Sequence, residues 1–281
     1  MFSCLRTLPR LSALLILPAV IACDTPADLN EGSPSQARPV WNQAYQENTE
    51  ADTVSQIVSQ ARDAYVLLDP FSEGFGADPA AIVSELQSNG NEVSAYISIG
   101  SGEDWRDDFE DLNPYLVTRQ WGDWEGEYFV SDTAGALPIM KARVDRIASW
   151  GFDWVEFDNM DWVYDDEYRA EYGFSATIPE GAAYYQALCD YVLSKGMACM
   201  AKSTVDEAGS FDGVTYESYP DDRNWWDQAG AKSFVAAGKL VVIVHYDEPN
   251  CAQVRDEYQA IYGPDLSFIC EDPRVGGYVH F

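Results

Sequence analysis

Three carboxylates lie within six residues of the stretch GFDWVEFDNMDWV, at Glu156, Asp158 and Asp161. If this stretch is a strand, its side chains alternate between two faces, so Glu156 and Asp158 share one face and the apolar residues beside them take the other. Charged residues are rarely buried unless they are paired or catalytic. Carboxylates next to tryptophans are the groups that bind and cleave glycosidic bonds. The alternative interpretation is a solvated acidic turn.

The elements that would position these groups alternate along the chain. Eight β-rich runs bounded by turn residues predict strands at 64–69, 93–99, 127–131, 153–158, 197–202, 213–217, 240–245 and 266–270. Helical patterns fill most gaps, at 79–88, 136–150, 180–194, 225–237 and 252–261. Such alternation is typical of a parallel sheet with right-handed crossovers. Eight units predict one α/β domain, a single (β/α)8 TIM barrel.

In a barrel of this kind the active site lies at the C-terminal ends of the strands. Most predicted strands end in ionisable groups, namely Asp69, Glu103, Asp104, Asp158, Lys202, Glu217, His245, Asp247 and Glu271. Aromatic residues at the same ends offer stacking faces for sugar rings, although each alone is also explained as core filling: Trp105, Trp121, Trp124, Trp154, Trp162, Trp225, Trp226, Tyr216, Tyr219 and Tyr246.

The N-terminal residues predict export. Residues 1–22 combine two arginines with a short apolar run, which is the pattern of a signal peptide and too short for a membrane span. The end of this run resembles a bacterial lipobox and predicts lipidation of Cys23, followed by a flexible tether over 23–39 and the domain over 40–281. We expect a membrane-anchored bacterial lipoprotein that faces the periplasm or the cell surface. The alternative is a simple secretory signal with an incidental cysteine.

Four cysteines remain in the domain, and four cysteines allow three disulfide pairings. We predict Cys189–Cys199 and Cys251–Cys270, because each pair brackets one helix-to-strand connection and an exported protein is oxidised. Metal binding is disfavoured because the chain has two histidines and no CxxC spacing. We therefore expect neither a metal nor a cofactor.

The chain is strongly acidic, with a formal net charge of −30 at pH 7. Phosphate repulsion excludes nucleic acid as a partner, whereas a polycation would be attracted. A surface adapted for solubility or salt explains the same charge equally well.

Five features of the chain resemble glycoside hydrolase family 114: SIGSGEDWR at Ser98–Arg106, GFDWVEFDNMDWV at Gly151–Val163, Lys202, FDGVTYESY at Phe211–Tyr219 and VVIVHYDE at Val241–Glu248. The resemblance runs in order through nearly the whole chain after the signal peptide. It implies a TIM barrel and an endo-acting hydrolase of partially deacetylated α-1,4-galactosamine polymers, which are cationic biofilm polysaccharides.

By position, the resemblance implies that Asp158 is the nucleophile at the end of the fourth strand and Glu217 the acid/base at the end of the sixth. A retaining outcome rests on the resemblance, because strand ends two positions apart fit either stereochemistry. We expect the Asn159 amide and Lys202 to stabilise the charge of Asp158. The simpler interpretation is that Asp158 caps the loop that follows it.

Further residues are predicted to contact substrate. Glu156 is expected to orient its neighbours or to meet Lys202, Asp161 to bind a substrate amine, and Tyr216 to desolvate Glu217. The full predicted binding set is Asp69, Glu103, Asp104, Trp105, Glu156, Asn159, Asp161, Lys202, Tyr216, His245 and Asp247.

The chain departs from the family pattern at two positions. His245 stands where the resemblance predicts an acid, which replaces a fixed charge by a titrating ring, and Ser203 follows Lys202 where asparagine is frequent. Three hypotheses follow: a lipid-anchored aminosugar endo-glycosidase, a non-catalytic polysaccharide-binding lipoprotein, and a glycosidase for another polymer. We expect a monomer in each case.

Overall fold

The computed structural model describes residues 37–45, 52–72, 75, 78–204, 209–221 and 229–281. They belong to one compact unit, Pro34–Phe281. The predicted signal peptide, Cys23 and most of the predicted tether lie outside the described residues, as do Trp225 and Trp226. No helix in the described ranges is long and apolar enough to cross a membrane.

Strands and helices alternate through this unit. The strands are β1 Val40–Asn42, β2 Tyr65–Leu68, β3 Glu92–Ser98, β4 Ser101–Glu103, β5 Glu127–Phe129, β6 Trp154–Asp158, β7 Ala198–Lys202, β8 Gly213–Ser218, β9 Leu240–His245, β10 Ser267–Asp272 and β11 Gly277–His280. The helices are α1 Val54–Gln60, α2 Pro79–Ser88, α3 Phe109–Leu112, α4 Thr133–Trp150, α5 Asp166–Tyr172, α6 Ile178–Ser194, α7 Ala229–Ala236 and α8 Cys251–Tyr262, with 3₁₀ turns at Asn113–Tyr115 and Asp161–Tyr164.

Eight parallel strands form the (β/α)8 barrel, in the order β1, β2, β3, β6, β7, β8, β9 and β10. The predicted barrel strand at 127–131 is wrong, because β5 instead pairs antiparallel with β4 in a separate two-stranded sheet. We call this sheet the β4–β5 hairpin, although its long connection contains α3 and a 3₁₀ turn. The strand that takes its place in the barrel is β1. Three residues of mixed polarity, VWN, are too short to stand out as an apolar run.

The sheet is nearly closed by its last strand. β11 pairs antiparallel with β10, and the His280 ring stacks on Trp41 of β1 with ring centroids 3.6 Å apart. Nδ1 of His280 also lies 2.6 Å from the Val40 carbonyl oxygen. The backbone N–H of Arg38 donates to Ser267 Oγ on β10 at 3.0 Å. Side chains therefore connect the first and last barrel strands.

Strand alternation divides each strand between the barrel interior and the helical layer. On β6, Val155 and Phe157 pack in the outer core, which lies between the barrel and the helices. Trp154 packs against the inner cluster, which is the set of buried side chains inside the barrel. Glu156 and Asp158 share the inward face with Trp154, as the sequence predicts. This alternation is what brings the β6 carboxylates to the barrel axis.

Two disulfides fasten the helical layer to the barrel. Cys189 of α6 is bonded to Cys199 of β7, and Cys251 of α8 is bonded to Cys270 of β10. Both predicted pairings are confirmed. Each links a helix to the strand that follows it.

Candidate active site

Three charged side chains meet at the C-terminal ends of neighbouring strands. Asp158 ends β6, Lys202 ends β7 and Glu217 lies near the end of β8, and these strands are paired in that order. Lys202 Nζ lies 2.9 Å from Asp158 Oδ1 and 3.1 Å from Glu217 Oε2. One ammonium group therefore bridges the two carboxylates that the sequence singles out.

The bridge limits the distance between the carboxylates. Because both oxygens contact the same nitrogen, Asp158 Oδ1 and Glu217 Oε2 are at most about 6 Å apart. Retaining glycosidases hold their carboxyl groups about 5–5.5 Å apart, and inverting ones about 6.5–9.5 Å. The upper limit of about 6 Å therefore lies below the separation typical of inverting enzymes.

Two phenols complete the hydrogen bonding of the pair. Tyr96 of β3 donates to Asp158 Oδ2 at 2.9 Å, and Tyr246, directly after β9, donates to Glu217 Oε1 at 2.7 Å. Burial, together with the neighbouring carboxylate, raises the pKa of each tyrosine well above its usual value, so both hydroxyls stay protonated and donate. Sequence reasoning missed Tyr96, although it lies two residues before Ser98 on the inward face of β3.

Lys202 remains a cation in this site. Burial alone lowers the pKa of its ammonium, but the charges of Asp158, Glu217 and Glu156 outweigh burial and raise the pKa. The Tyr45 ring lies against the ammonium, with its centroid 3.9 Å from Nζ, and adds a cation–π contact. Lys202 thus holds the carboxylates with a permanent positive charge.

Glu156 lies one inward position deeper on β6 and is fully buried. Its Oε2 accepts a hydrogen bond from Thr215 Oγ1 of β8, and its Oε1 has no hydrogen-bond partner among the described residues. Burial raises the pKa of this carboxyl to about 8, and the charges of Asp158 and Glu217 add to burial, although Lys202 opposes them. Glu156 is therefore mainly neutral at pH 7 and does not reach the cleft.

Asn159 supports Asp158 through its backbone. It adopts a left-handed conformation with φ 57°, and its N–H donates to Asp158 Oδ1 at 2.7 Å. Its side-chain amide donates instead to Ser98, Ser101 and Glu127, away from Asp158. Asn159 therefore contacts Asp158 through its backbone N–H, and not through the side-chain amide that the sequence predicts.

Asp161 opens the 3₁₀ turn after β6 and reaches solvent. Desolvation by nearby protein atoms raises the pKa of its carboxyl group to about 6, and the charge of Asp158 adds to this shift. Asp161 is thus an accessible carboxylate beside the pair, ionised above about pH 6.

Two predicted substrate-binding carboxylates are already paired within the protein. Glu103 makes a bidentate ion pair with Arg106, at 2.6 and 2.7 Å, and Arg106 Nη1 also contacts Asp69 at 2.9 Å. All three side chains are buried. Among the described residues, both carboxylates are thus engaged by Arg106, which ties the segment after β4 to the end of β2.

Tyr216 and His245 do not face the cleft. Tyr216 lies between the inward residues Thr215 and Glu217 and packs in the outer core. His245 is fully buried, with Nδ1 3.3 Å from the hydroxyl of Tyr258 on α8. Both predicted contacts are wrong for the same reason: the alternation of side chains along a strand places each residue on the outward face of the barrel.

Three other predicted contacts lie on the rim. Asp104 and Trp105 are exposed on the β4–β5 hairpin, where Trp105 keeps 54% of its surface accessible. Asp247 is exposed in the loop after β9. Within the described ranges, no cluster of three or more His, Cys, Asp or Glu side chains is arranged to hold a metal ion.

Comparisons with known proteins identify the family and agree with the fold. The family model described as glycoside-hydrolase family GH114 matches residues 30–281. Aspergillus fumigatus Ega3, solved in complex with galactosamine, superposes with a TM-score of 0.65 at 18% identity and covers 92% of this chain and 99% of its own. The glycoside hydrolase domain of PelA from Pseudomonas aeruginosa gives 0.58 at 17% identity, covering 89% and 98%. None of the curated protein sequences matches the chain significantly.

Proposed function

This chain belongs to glycoside-hydrolase family GH114, and from that premise we propose that it is an endo-acting hydrolase of α-1,4-linked galactosamine-containing polysaccharide, with Asp158 as nucleophile and Glu217 as acid/base. The observation that carries the proposal is the shared Lys202 contact, which keeps the two carboxylates within about 6 Å. This spacing favours two successive displacements and retention of the anomeric configuration.

The geometry supports a defined sequence of steps. Asp158 Oδ attacks the anomeric carbon while Glu217 gives its proton to the leaving glycosidic oxygen, which produces a glycosyl ester on Asp158 and a free chain end. Glu217 then takes a proton from water, the water oxygen attacks the same carbon, and Asp158 leaves as a carboxylate. Lys202 and Tyr96 hold Asp158 on its line of approach throughout.

Glu217 is held in place for its proposed role in proton transfer. In this structure it accepts hydrogen bonds from Tyr246 and Lys202 and keeps 27% of its side chain exposed. Its carboxyl group is therefore fixed beside Asp158 and still open to a substrate.

Charge supports an aminosugar as the substrate. The chain carries a net charge of −30, and Asp161 presents an accessible carboxylate beside the catalytic pair. A protonated amine on the sugar would be attracted by both. The similarity to Ega3, which was solved with galactosamine, points to the same substrate class.

Exposed aromatic residues support action within a long chain. Trp105 follows β4 and Trp124 precedes β5. Tyr219 stacks on Tyr246 with ring centroids 5.1 Å apart, and the Tyr246 hydroxyl donates to Glu217. Trp105, Trp124 and Tyr219 each keep about half of their surface exposed. Such faces bind successive sugar rings outside the cleavage point.

We also propose that the enzyme is exported and lipidated at Cys23. Two disulfides join helices to strands in the domain, and disulfides of this kind persist in oxidising compartments. Labelling with a fatty-acid analogue tests the anchor: the full chain should become labelled and Cys23→Ala should not. Label on the alanine variant would remove Cys23 from the proposal.

The catalytic assignment is tested on partially deacetylated α-1,4-galactosamine polymer. Reducing ends are counted for the wild type, Asp158→Asn, Glu217→Gln and the control Asp256→Asn, whose carboxyl is exposed on α8. The wild type and the control should release ends, and the two cleft variants should remain folded and lose at least about 10³-fold in rate. A wild-type rate in either cleft variant would reject its assigned role, and a folded but inactive wild type would reject the substrate.

A further inference from the structure

Glu127 is a buried carboxylate that the steps above do not use. It opens β5 opposite Glu103 and is 7% exposed. Its Oε2 accepts hydrogen bonds from Ser101 Oγ at 2.5 Å and from Asn159 Nδ2 at 3.3 Å. A buried carboxylate is costly unless it is paired or has a role, and Glu127 has no ion pair among the contacts of the described residues.

Glu127 ends a directed chain of hydrogen bonds. Because Ser101 donates its hydroxyl proton to Glu127, Ser98 must be the donor in the 2.7 Å contact between the two serine hydroxyls. The Asn159 amide then donates to both serine oxygens, at 3.0 and 3.1 Å, as well as to Glu127. Because ionised Glu127 can only accept hydrogen bonds, it determines which group donates in each contact of this network.

The residue held by this network is conformationally demanding. Asn159 has φ 57°, a left-handed conformation that non-glycine residues adopt only at an energetic cost. Its carbonyl oxygen lies where a Cβ on Gly100 would be, 1.6 Å from that position. The same conformation turns the Asn159 N–H toward Asp158 Oδ1, at 2.7 Å. Gly100 and the Glu127 network thus hold Asn159 from two sides.

We propose that Glu127 is a positioning residue that acts through Asn159 to hold the carboxylate of Asp158, and that ionisation of Glu127 makes the reaction rate depend on pH near neutrality. This inference rests on the nucleophilic role proposed for Asp158. Ionised Glu127 is the stronger acceptor for Asn159 and Ser101. Protonation weakens both bonds and loosens the backbone contact to Asp158.

The charged and polar groups around Glu127 bring the pKa of its carboxyl group close to neutral pH. Burial raises the pKa of its carboxyl to about 7, the charges of Glu103 on β4 and Asp158 on β6 add to burial, and Lys202 on β7 and the bond from Ser101 oppose them. Positioning should therefore be complete above about pH 7 and weaken as the pH falls below it.

The test compares pH profiles of kcat and KM for the wild type, Glu127→Gln and the control Glu125→Gln, which removes an exposed carboxylate from the same hairpin. Glutamine mimics the protonated acid. The variant should match the wild type at pH 5.5, be slower by about fivefold in kcat at pH 8 and keep its KM, while the control follows the wild type throughout. Superimposed kcat profiles of Glu127→Gln and wild type would overturn the proposal.

A second background tests the route through Asn159. Glycine adopts left-handed φ without cost, so Asn159→Gly removes the need for the network. Glu127→Gln should then change kcat by less than twofold at pH 8 in that background. An unchanged fivefold effect would show that Glu127 acts by another route.

A readout without substrate separates this inference from the proposed function. The backbone amide signal of Asn159 in ¹⁵N NMR should show a step near pH 7 in the wild type. This step should be absent in Glu127→Gln, in which only the steps of Asp161 near pH 6 and Glu156 near pH 8 remain. If the step near pH 7 is present but the polymer is not cleaved, the substrate assignment fails and the positioning network remains. If this step is absent from the wild type, the network proposal fails whatever the substrate.

Discussion

Replacing Glu156 by glutamine tests the description of the barrel interior. The carboxyl is fully buried, its Oε2 accepts a hydrogen bond from Thr215, and its Oε1 has no hydrogen-bond partner in the part of the chain that the structure describes. Burial raises its pKa from the usual 4.5 to about 8. Glutamine keeps the shape and the acceptor oxygen and cannot ionise, so it reproduces the neutral acid.

The magnitude follows from linkage between protonation and folding. Between about pH 4.5 and pH 8 the unfolded chain has released the Glu156 proton and the folded chain still holds it, so wild-type stability falls as pH rises, by about 1.4 kcal/mol per unit. Between pH 5 and pH 8 the wild type should lose roughly 3 to 4 kcal/mol relative to the Glu156→Gln variant. Below the unfolded pKa the two proteins should differ little.

Urea unfolding at pH 5, 6, 7 and 8 measures this difference. The gap in the free energy of unfolding between Glu156→Gln and wild type should widen steadily with pH. Glu85→Gln, on the exposed face of α2, is the control and should run parallel to the wild type. If the free energies of unfolding of Glu156→Gln and wild type changed in parallel with pH, the claim that the fold holds a neutral carboxyl beneath Lys202 would be refuted.

Three further predictions follow from single contacts. Tyr96→Phe removes a hydrogen bond to a charged acceptor, so kcat should fall by about 10- to 100-fold with little change in Tm; an unchanged kcat would contradict the contact. The carboxyl of Asp161 has a pKa of about 6, so the wild-type KM for an amine-bearing polymer should rise below pH 6. Asp161→Asn should have a high KM at every pH. Equal KM profiles for the wild type and Asp161→Asn would exclude an amine contact. Replacing Cys251 and Cys270 by alanine opens a loop with a sequence separation of 19 and should lower the free energy of unfolding by about 3 kcal/mol, measured with urea; an unchanged midpoint would contradict a stabilising bond.

Local pattern was sufficient for the centre of the site. Period-two alternation puts Glu156 and Asp158 on the inward face of β6, and the C-terminal ends of β7 and β8 supply Lys202 and Glu217. In a parallel barrel these ends are neighbours, so their meeting follows from topology. Their common contact at Lys202 Nζ needs the three-dimensional structure.

The errors have identifiable physical causes. Tyr216 precedes Glu217 by one residue, so the same alternation that places Glu217 inward places Tyr216 outward, and the sequence contained this signal. The outward position of His245 was harder to predict. Because β9 is apolar on both faces, its sequence does not show which residues face the barrel interior. For Asp69 the partner Arg106 is 37 residues away, a tertiary contact that no local pattern encodes.

Two supporting residues show the limit of reading strands alone. Tyr45 follows a three-residue strand, and nothing in the sequence brings its ring to Lys202. Glu127 was assigned to a barrel strand, but its place at the start of a hairpin strand opposite Glu103 is what directs its carboxyl toward Asn159. The hairpin pairing, which depends on long-range register, decides the role of Glu127.

The most direct test of the central claim is the anomeric configuration of the first product. Wild-type enzyme is mixed with α-1,4-linked galactosamine oligosaccharide, and ¹H NMR follows the new reducing end before it mutarotates. Asp158 and Glu217, held by Lys202 within about 6 Å, predict that the α-anomer appears first. Initial release of the β-anomer would contradict a double displacement on Asp158.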